Sequence, residues 1–336
     1  MRALGAQMAY RLVDAQQRFL HQILCRCGIM GQLICHTQQP VTAMLDQLRH
    51  HLGPTLKTRH PADLLRPNPF LTSDGSRPMD IADFSLDLFS LAGRNALVTG
   101  GNTGLGRAFS LALAKAGADV FAVGLSDDDG TTRRLIERAG RRMEFAVADI
   151  TQAGVPAVIV QRCVETLGSV DILVNSAGIN LLSDVGKFGR EQWDPMVSVN
   201  LTAAFEFAHE ASRFMMGQRS GKIINIASLF SFLGGKHSPA YAASKAGIVG
   251  FTKAYCDELA TYNIQVNAIA PGYVATPITE ATPADPVANR RVVEHIPADR
   301  WGETADLMGA TVFLASRASD YVNGHVLVVD GGYLVR

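Results

Sequence analysis

The chain has 336 residues, 47% of them apolar and 18% charged, so it can bury a large core without help from a metal or a disulfide framework. Its formal net charge is +0 and no long basic run occurs, which excludes nucleic acid or an anionic membrane as the expected partner. Five cysteines without a pairing pattern point to a reducing, cytoplasmic compartment rather than a secreted one.

Residues 1–78 differ from the rest. They carry nine basic residues, four aspartates and no glutamate, which leaves 22 basic and 27 acidic residues for positions 79–336 out of totals of 31 and 31. Cys25, Cys27 and the Cys35-His36 pair lack the spacing of paired zinc ligands, so no metal is expected. The apolar run from Ile23 to Ile34 is broken by Arg26 and too short to span a bilayer, and no signal-peptide pattern is present. A tract with Pro54, Pro61, Pro67, Pro69 and Pro78 follows. Two readings stand: a regulatory or targeting appendage, or a segment, disordered or translated upstream of a true start at Met79. The second is the expectation, because Met79-Asp-Ile-Ala-Asp-Phe opens a short acidic lead into one domain over 79–336.

From residue 94 the pattern alternates. A buried strand over 94–100 runs into Gly101-Asn-Thr-Gly104-Leu-Gly106 and then a helix over 107–116, the setting in which glycines let backbone approach a pyrophosphate at a helix N-terminus. Strands are expected over 119–124, 144–148, 171–175, 222–227, 265–269 and 326–329, and helices over 131–139, 155–167, 190–217 and 240–262. Val/Ile-rich strands alternating with helices predict an α/β fold, a Rossmann-type doubly wound parallel sheet with helices on both faces. Ligands of such sheets bind at the C-terminal strand ends, where Asp149, Asn175, Ser228 and Pro271 fall.

Tyr241 and Lys245 lie four residues apart on the 240–262 helix, one turn and one face. A phenol ionises near pH ~10, and a cation held within a few ångströms favours the phenolate, which makes the pair a proton-moving device.

At this point the chain resembles the short-chain dehydrogenase/reductase family over residues 89–336. Thr99-Gly-Gly-Asn-Thr-Gly-Leu-Gly106 is similar to its cofactor turn, Asp149 to its adenine-site acid, Asn175-Ser-Ala-Gly178 to its Asn-Asn-Ala-Gly motif, with Ser176 in place of the second asparagine, and Pro271-Gly-Tyr-Val-Ala-Thr276 to its nicotinamide loop. Asn200, Ser228, Tyr241 and Lys245 match the family's catalytic four. The resemblance implies hydride transfer between a nicotinamide and a carbinol carbon. Tyr241 would act as acid/base and Lys245 would lower its pKa and reach the nicotinamide ribose. Ser228 would hold the substrate oxygen, and Asn200 a water that relays protons. It implies cofactor contacts from Gly100, Asn102, Thr103, Gly104, Leu105, Gly106, Asp149, Ile150, Asn175, Ala177, Gly178, Tyr241, Lys245, Pro271, Gly272, Val274 and Thr276, the last two on the carboxamide.

The family's NAD-type aspartate would fall near Gly124, where it is missing, but no arginine is expected at this strand end and Asp127, Asp128 and Asp129 would repel a 2′-phosphate. NAD is therefore expected, with NADP kept open by Arg133 and Arg134. His295-Ile-Pro-Ala-Asp-Arg-Trp-Gly302, Ser319-Asp-Tyr-Val-Asn-Gly324 and Lys222-Ile-Ile-Asn-Ile-Ala-Ser228 resemble the branch containing 2-dehydro-3-deoxy-D-gluconate 5-dehydrogenase and gluconate 5-dehydrogenase. A sugar acid is the implied small-molecule substrate. Leu181 and Leu182 stand where that branch places arginines, so a neutral polyol or other small alcohol stays open, with Lys236 and His237 as alternative cations. A protein that senses nicotinamide without catalysis is the competing class. The resemblance also implies a homotetramer assembled through the 190–217 and 240–262 helices.

Overall fold

The structure, a computed structural model, describes residues 81–279 and 285–336; the Met79 boundary, the three early cysteines and the expected extension lie outside the described residues. Seven strands form one sheet: β1 (Asn95–Thr99), β2 (Asp119–Gly124), β3 (Met143–Val147), β4 (Ile172–Asn175), β5 (Gly221–Ile226), β6 (Ile264–Pro271) and β7 (Val326–Val329). Their order is β3-β2-β1-β4-β5-β6-β7 and every pairing is parallel. The chain thus reverses direction of travel between β1 and β4, the crevice where such sheets bind ligands. All residues of β2, β4, β5 and β6 are buried, as their largely apolar composition predicts for strands covered on both faces.

The helices are α1 (Gly104–Lys115), α2 (Thr131–Arg138), α3 (Val155–Leu167), α4 (Arg190–Val197), α5 (Ala203–Gln218), α6 (Pro239–Leu259), α7 (Pro286–His295) and α8 (Met308–Ala315). Two apolar layers sandwich the sheet. One joins Val98, Val120, Ile172 and Ile224 to Phe109 and Leu113 of α1 and Leu314 of α8; the other joins Leu97, Phe121, Leu173 and Ile223 to Ile159 of α3 and Phe207 and Met215 of α5. Alternate residues of each strand supply opposite layers, the two-residue period of a pleated strand.

The expected 190–217 helix is in fact two, joined by a π turn over Ser198–Thr202. Pro195, which lacks an amide hydrogen, sits in the last turn of α4 just before this widening. Helices α7 and α8 were not expected.

Candidate active site

Ser228, Tyr241 and Lys245 converge because the turn that follows β5, Leu229–Ser231, packs against α6. Ser228 Oγ accepts a hydrogen bond from the Phe230 amide at 3.2 Å, capping a 3₁₀ turn over Leu229–Ser231, and the Ser231 hydroxyl donates to the Lys245 carbonyl at 2.7 Å. Pro239 opens α6 at its first helical position, where no amide hydrogen is needed. The Ser228 hydroxyl is near enough to the Tyr241 phenol to influence its ionisation, and the Phe230 ring packs edge-on against Tyr241 with centroids 6.0 Å apart.

Lys245 lies one helical turn further on, buried. Its ammonium donates to the Ile226 carbonyl at 2.7 Å and sits 5.6 Å from the Tyr241 ring centroid. Burial pulls the lysine down to about 8. Burial also pushes the Tyr241 phenol up, while the Ser228 hydroxyl draws it back. The ammonium faces the ring and a β5 carbonyl, and desolvation is the largest influence on Tyr241.

Asn200 is carried by the π turn. Its Oδ1 accepts from the Ile179 amide at 2.8 Å and its Nδ2 donates to the Ile179 carbonyl at 2.9 Å, with a longer contact to Ser244 Oγ at 3.4 Å. The side chain is thus committed to bracing the strand end after β4 against α6. Gly178 lies directly against this brace: a β-carbon there would come 3.3 Å from Asn200 Oδ1 and 3.8 Å from Lys245 Nζ.

On the other side of the crevice, Thr99 Oγ1 accepts from the amides of Ser176 and Ala177 at 3.0 and 3.1 Å, which locks the ends of β1 and β4 together. Asn175 donates to Asn225 Oδ1 at 2.9 Å and to the Ala204 carbonyl at 3.0 Å, while its own buried Oδ1 has no partner. Helix α1 begins at Gly104, and Thr103 before it makes no side-chain cap, so the first-turn amides remain available to an anion. A β-carbon on Gly106 would fall 2.0 Å from the Gly100 carbonyl oxygen, so only glycine lets α1 start this close to β1. The nearest atoms to a β-carbon placed on Gly104 belong to Pro277 and Thr276, at 3.7 and 3.9 Å. The glycine turn, with Leu105 in it, and the loop running from Pro271 and Gly272 through Val274 to Thr276 therefore face each other across the crevice. An uncapped helix start opposite a backbone loop at the strand ends fits a dinucleotide.

Asp149, with Ile150 beyond it, follows the end of β3. Its exposed carboxylate accepts from Thr151 Oγ1 at 2.7 Å, the Thr151 amide at 3.0 Å and Gln152 at 3.1 Å, and these bonds hold it below the usual carboxylate range. Gly124 has no side chain because Asn102 lies across it: a β-carbon there would meet Asn102 Oδ1 at 2.5 Å. Asn102 also donates to the Ser126 carbonyl at 3.0 Å. The expectation of no arginine at this strand end is corrected. Arg107, in the first turn of α1, reaches Asp129 at 3.2 Å and Thr132 Oγ1 at 3.0 Å.

At the mouth, Leu181 and Leu182 are exposed. Lys236 is exposed, and the exposed His237, at φ 64° in the left-handed region, pairs through Nδ1 with Asp184 at 3.0 Å. The Ser183 amide donates to the His237 carbonyl at 2.9 Å and Ser238 Oγ donates to Asn180 Oδ1 at 2.5 Å, so the loops after β4 and β5 are clasped together. Sequence reasoning missed Phe230, Arg107 and Thr279. The first two had a readable signal in their places beside Ser228 and Gly106. The hydroxyl of Thr279 depends on a turn that returns it to Val274.

A parallel sheet with a glycine turn, a serine–tyrosine–lysine set and a facing loop after β6 defines a dinucleotide-dependent oxidoreductase. The chain matches the family profile described as enoyl-(acyl carrier protein) reductase over residues 100–334. It is 62% identical to the uncharacterized oxidoreductase YgcW of Escherichia coli K12 over 75% of this chain and 97% of that one. It is 44% identical to the 2-dehydro-3-deoxy-D-gluconate 5-dehydrogenase of the same organism, over 75% and 99%. The crystal structure of a gluconate 5-dehydrogenase from Burkholderia cenocepacia J2315, in complex with NADP and tartrate, superposes with a TM-score of 0.72 at 36% identity, covering 75% of this chain and 100% of that one. The chain belongs to the short-chain dehydrogenase/reductase family, nicotinamide-dependent oxidoreductases acting on CH–OH groups.

Proposed function

We propose that this protein interconverts a secondary alcohol and a ketone on a gluconate-type sugar acid. The observation that carries the chemistry is the convergence of Ser228 at the end of β5 with Tyr241 and the buried Lys245 on α6. A bound nicotinamide dinucleotide supplies or accepts the hydride. In the oxidative direction Tyr241 accepts the hydroxyl proton, and in reduction it returns it. Ser228, already fixed by the Phe230 amide, orients the substrate oxygen and steadies charge developing there. Lys245, donating to the Ile226 carbonyl, lies within reach of a ribose hydroxyl and of the proton path, and Asn200 keeps that path's wall in place by holding Ile179. The identities to sugar-acid enzymes support the substrate class. A panel of gluconate-type acids and the matching neutral polyols tests it: higher kcat/KM on neutral substrates rejects the acid reading.

The neutral-polyol reading has one observation of its own, the exposed Leu181 and Leu182 where a carboxylate would want arginine. For the cofactor we propose NAD over NADP. Asp127, Asp128 and Asp129 line the end of β2 and Arg107 is already paired with Asp129. A kcat/KM for NADP above that for NAD overturns this. We further propose a catalytic unit spanning 79–336 and a cytoplasmic homotetramer built on α5 and α6, supported by the half-exposed cluster of Phe205, Phe251 and Tyr255. No described helix is long and apolar enough to cross a membrane. Light scattering on the protein from Met79 onward tests both: a monomer, or an inactive protein, rejects one or the other.

A further inference from the structure

We propose that Asn102 takes the place of the acidic residue expected at the end of β2, and that its side-chain oxygen accepts the hydrogen bond of the 2′-hydroxyl on the adenosine ribose. The inference deepens the NAD reading above and rests on it. A dinucleotide with its pyrophosphate at the start of α1 lays its adenosine ribose over the end of the second strand, where a carboxylate ordinarily receives that hydroxyl. Here the position is Gly124. Its backbone is not left-handed, unlike that of Gly100 and Gly104 in the turn, so no conformational need makes it a glycine. Space does. A β-carbon on Gly124 would meet Asn102 Oδ1 at 2.5 Å and Cγ at 2.9 Å, so no side chain can stand at the end of β2 while the amide of Asn102 lies across it.

The amide is fixed in one sense. Its Nδ2 donates to the Ser126 carbonyl at 3.0 Å and to the Asp127 carbonyl at 3.4 Å. Turning the group over would set its oxygen against two carbonyl oxygens, so Oδ1 stays on the side away from them. Asn102 is 4% exposed, and its Oδ1 takes no hydrogen bond from any described residue. The Asn175 side-chain oxygen is also unpartnered but sealed in the core, whereas that of Asn102 keeps a path to solvent. The turn that carries it is braced on both sides. Ser110 Oγ donates to the Gly101 carbonyl at 3.1 Å, and Thr132 Oγ1 to the backbone carbonyl of Asn102 at 3.3 Å. The end of β2 thus presents a preset, unspent acceptor, which suits a ligand hydroxyl. A 2′-phosphate brings acceptors, and both donors of the amide are already taken by backbone, with Asp127 and Asp128 next in the chain. The same atoms that receive a hydroxyl therefore repel a phosphate.

Calorimetric titration with NADH, with its analogue lacking the 2′-hydroxyl on the adenosine ribose, and with NADPH reads this directly. The parent is expected to bind NADH roughly five- to tenfold tighter than the deoxy analogue, the worth of one hydrogen bond. In Asn102→Ala that gap is expected to close to within about twofold, whatever the lost ties to Ser126 and Asp127 do to both affinities together. Gly124→Asp, whose new side chain collides with Asn102, is expected to weaken NADH binding by about tenfold or more, and adding Asn102→Ala to it to restore the binding and the gap. Equal binding of NADH and the deoxy analogue by the parent, or a gap that survives Asn102→Ala, overturns the proposal and leaves Asn102 a brace of the loop after β2. A double variant no better than Gly124→Asp alone would mean that the two side chains do not share one place, and overturns it as well. A parent that binds NADPH more tightly than NADH sinks the NAD reading itself, and this proposal with it. The comparison on the parent needs no variant, and a thermal melt confirms that each variant is folded.

Discussion

Ser228, Tyr241 and Lys245 stand at the end of a fully buried strand and on a 21-residue helix, with Ser228 and Lys245 tied to backbone by hydrogen bonds. Leu181, Leu182, Lys236 and His237 stand on the two loops that flank them, exposed, and are held by one clasp of few polar contacts. The two regions are neighbours in the chain, since His237 and Tyr241 are separated by one turn. The proton chemistry is built from groups whose geometry the core dictates, while the choice of substrate is left to side chains that the core barely constrains. Change at the mouth is therefore expected to retune selectivity without disturbing the reaction, and change at the core to abolish the reaction while leaving binding.

The largest expected effect is at the core. Tyr241→Phe removes the proton acceptor and is expected to lower kcat by about 10²–10⁴-fold, the range of general acid–base catalysis, with NADH binding in calorimetric titration unchanged. A variant that keeps its full rate would take the proton transfer away from Tyr241. Lys245→Met is expected to lose activity and gain stability. Burial holds the lysine at about 8 in the folded protein against an ordinary 10.5, so between these values the unfolded chain binds the extra proton and stability rises with pH. Below that window the penalty is fully present. At neutral pH the methionine variant is expected to be more stable by on the order of 1–3 kcal/mol, less whatever the freed Ile226 carbonyl costs. Chemical denaturation at several pH values checks this, with the gap closing as pH rises through the window.

The mouth should respond more mildly. Leu182→Arg is expected to raise kcat/KM for gluconate-type acids over neutral polyols by about five- to tenfold through a charge-assisted contact, without altering kcat on the neutral substrates. No change in the acid-to-polyol ratio would mean that the substrate carboxylate lies elsewhere. Asp184→Asn loosens the clasp with His237. An exposed pair of this kind is worth about 0–1 kcal/mol, so KM should rise a few-fold at most and the melting temperature should barely move.

The order and kind of nearly every element were legible in the sequence because strand burial and helix spacing impose distinct periods. Ser228 lies at the end of β5 and Tyr241 and Lys245 lie on α6, the elements expected to carry them. The break between α4 and α5 was not legible. Pro195 and the run Ser198-Val-Asn200 carry helical spacing on either side, and only the tie of Asn200 to Ile179 across the crevice reveals the wider turn. The surroundings of the Lys245 ammonium were hidden for a related reason. Sequence spacing puts Lys245 on the same face but does not tell which atom the ammonium meets, and the Ile226 carbonyl takes it. Arg107 escaped notice because its number places it on α1, while the length of its side chain delivers it to Asp129.

The seventh strand arrives within the last dozen residues of the chain, and it alone covers the outer side of β6 in the sheet. A ribosome has therefore made the glycine turn, Asn200, Ser228, Tyr241 and Lys245 before the strand bearing Pro271 has its second neighbour. Until then β6, every residue of which is buried in the folded protein, is an open edge ready to pair with another chain. A protein cut short before Val326 would keep all four proton-handling residues and still expose that edge, so the terminal residues govern solubility during synthesis as much as they complete the cofactor loop.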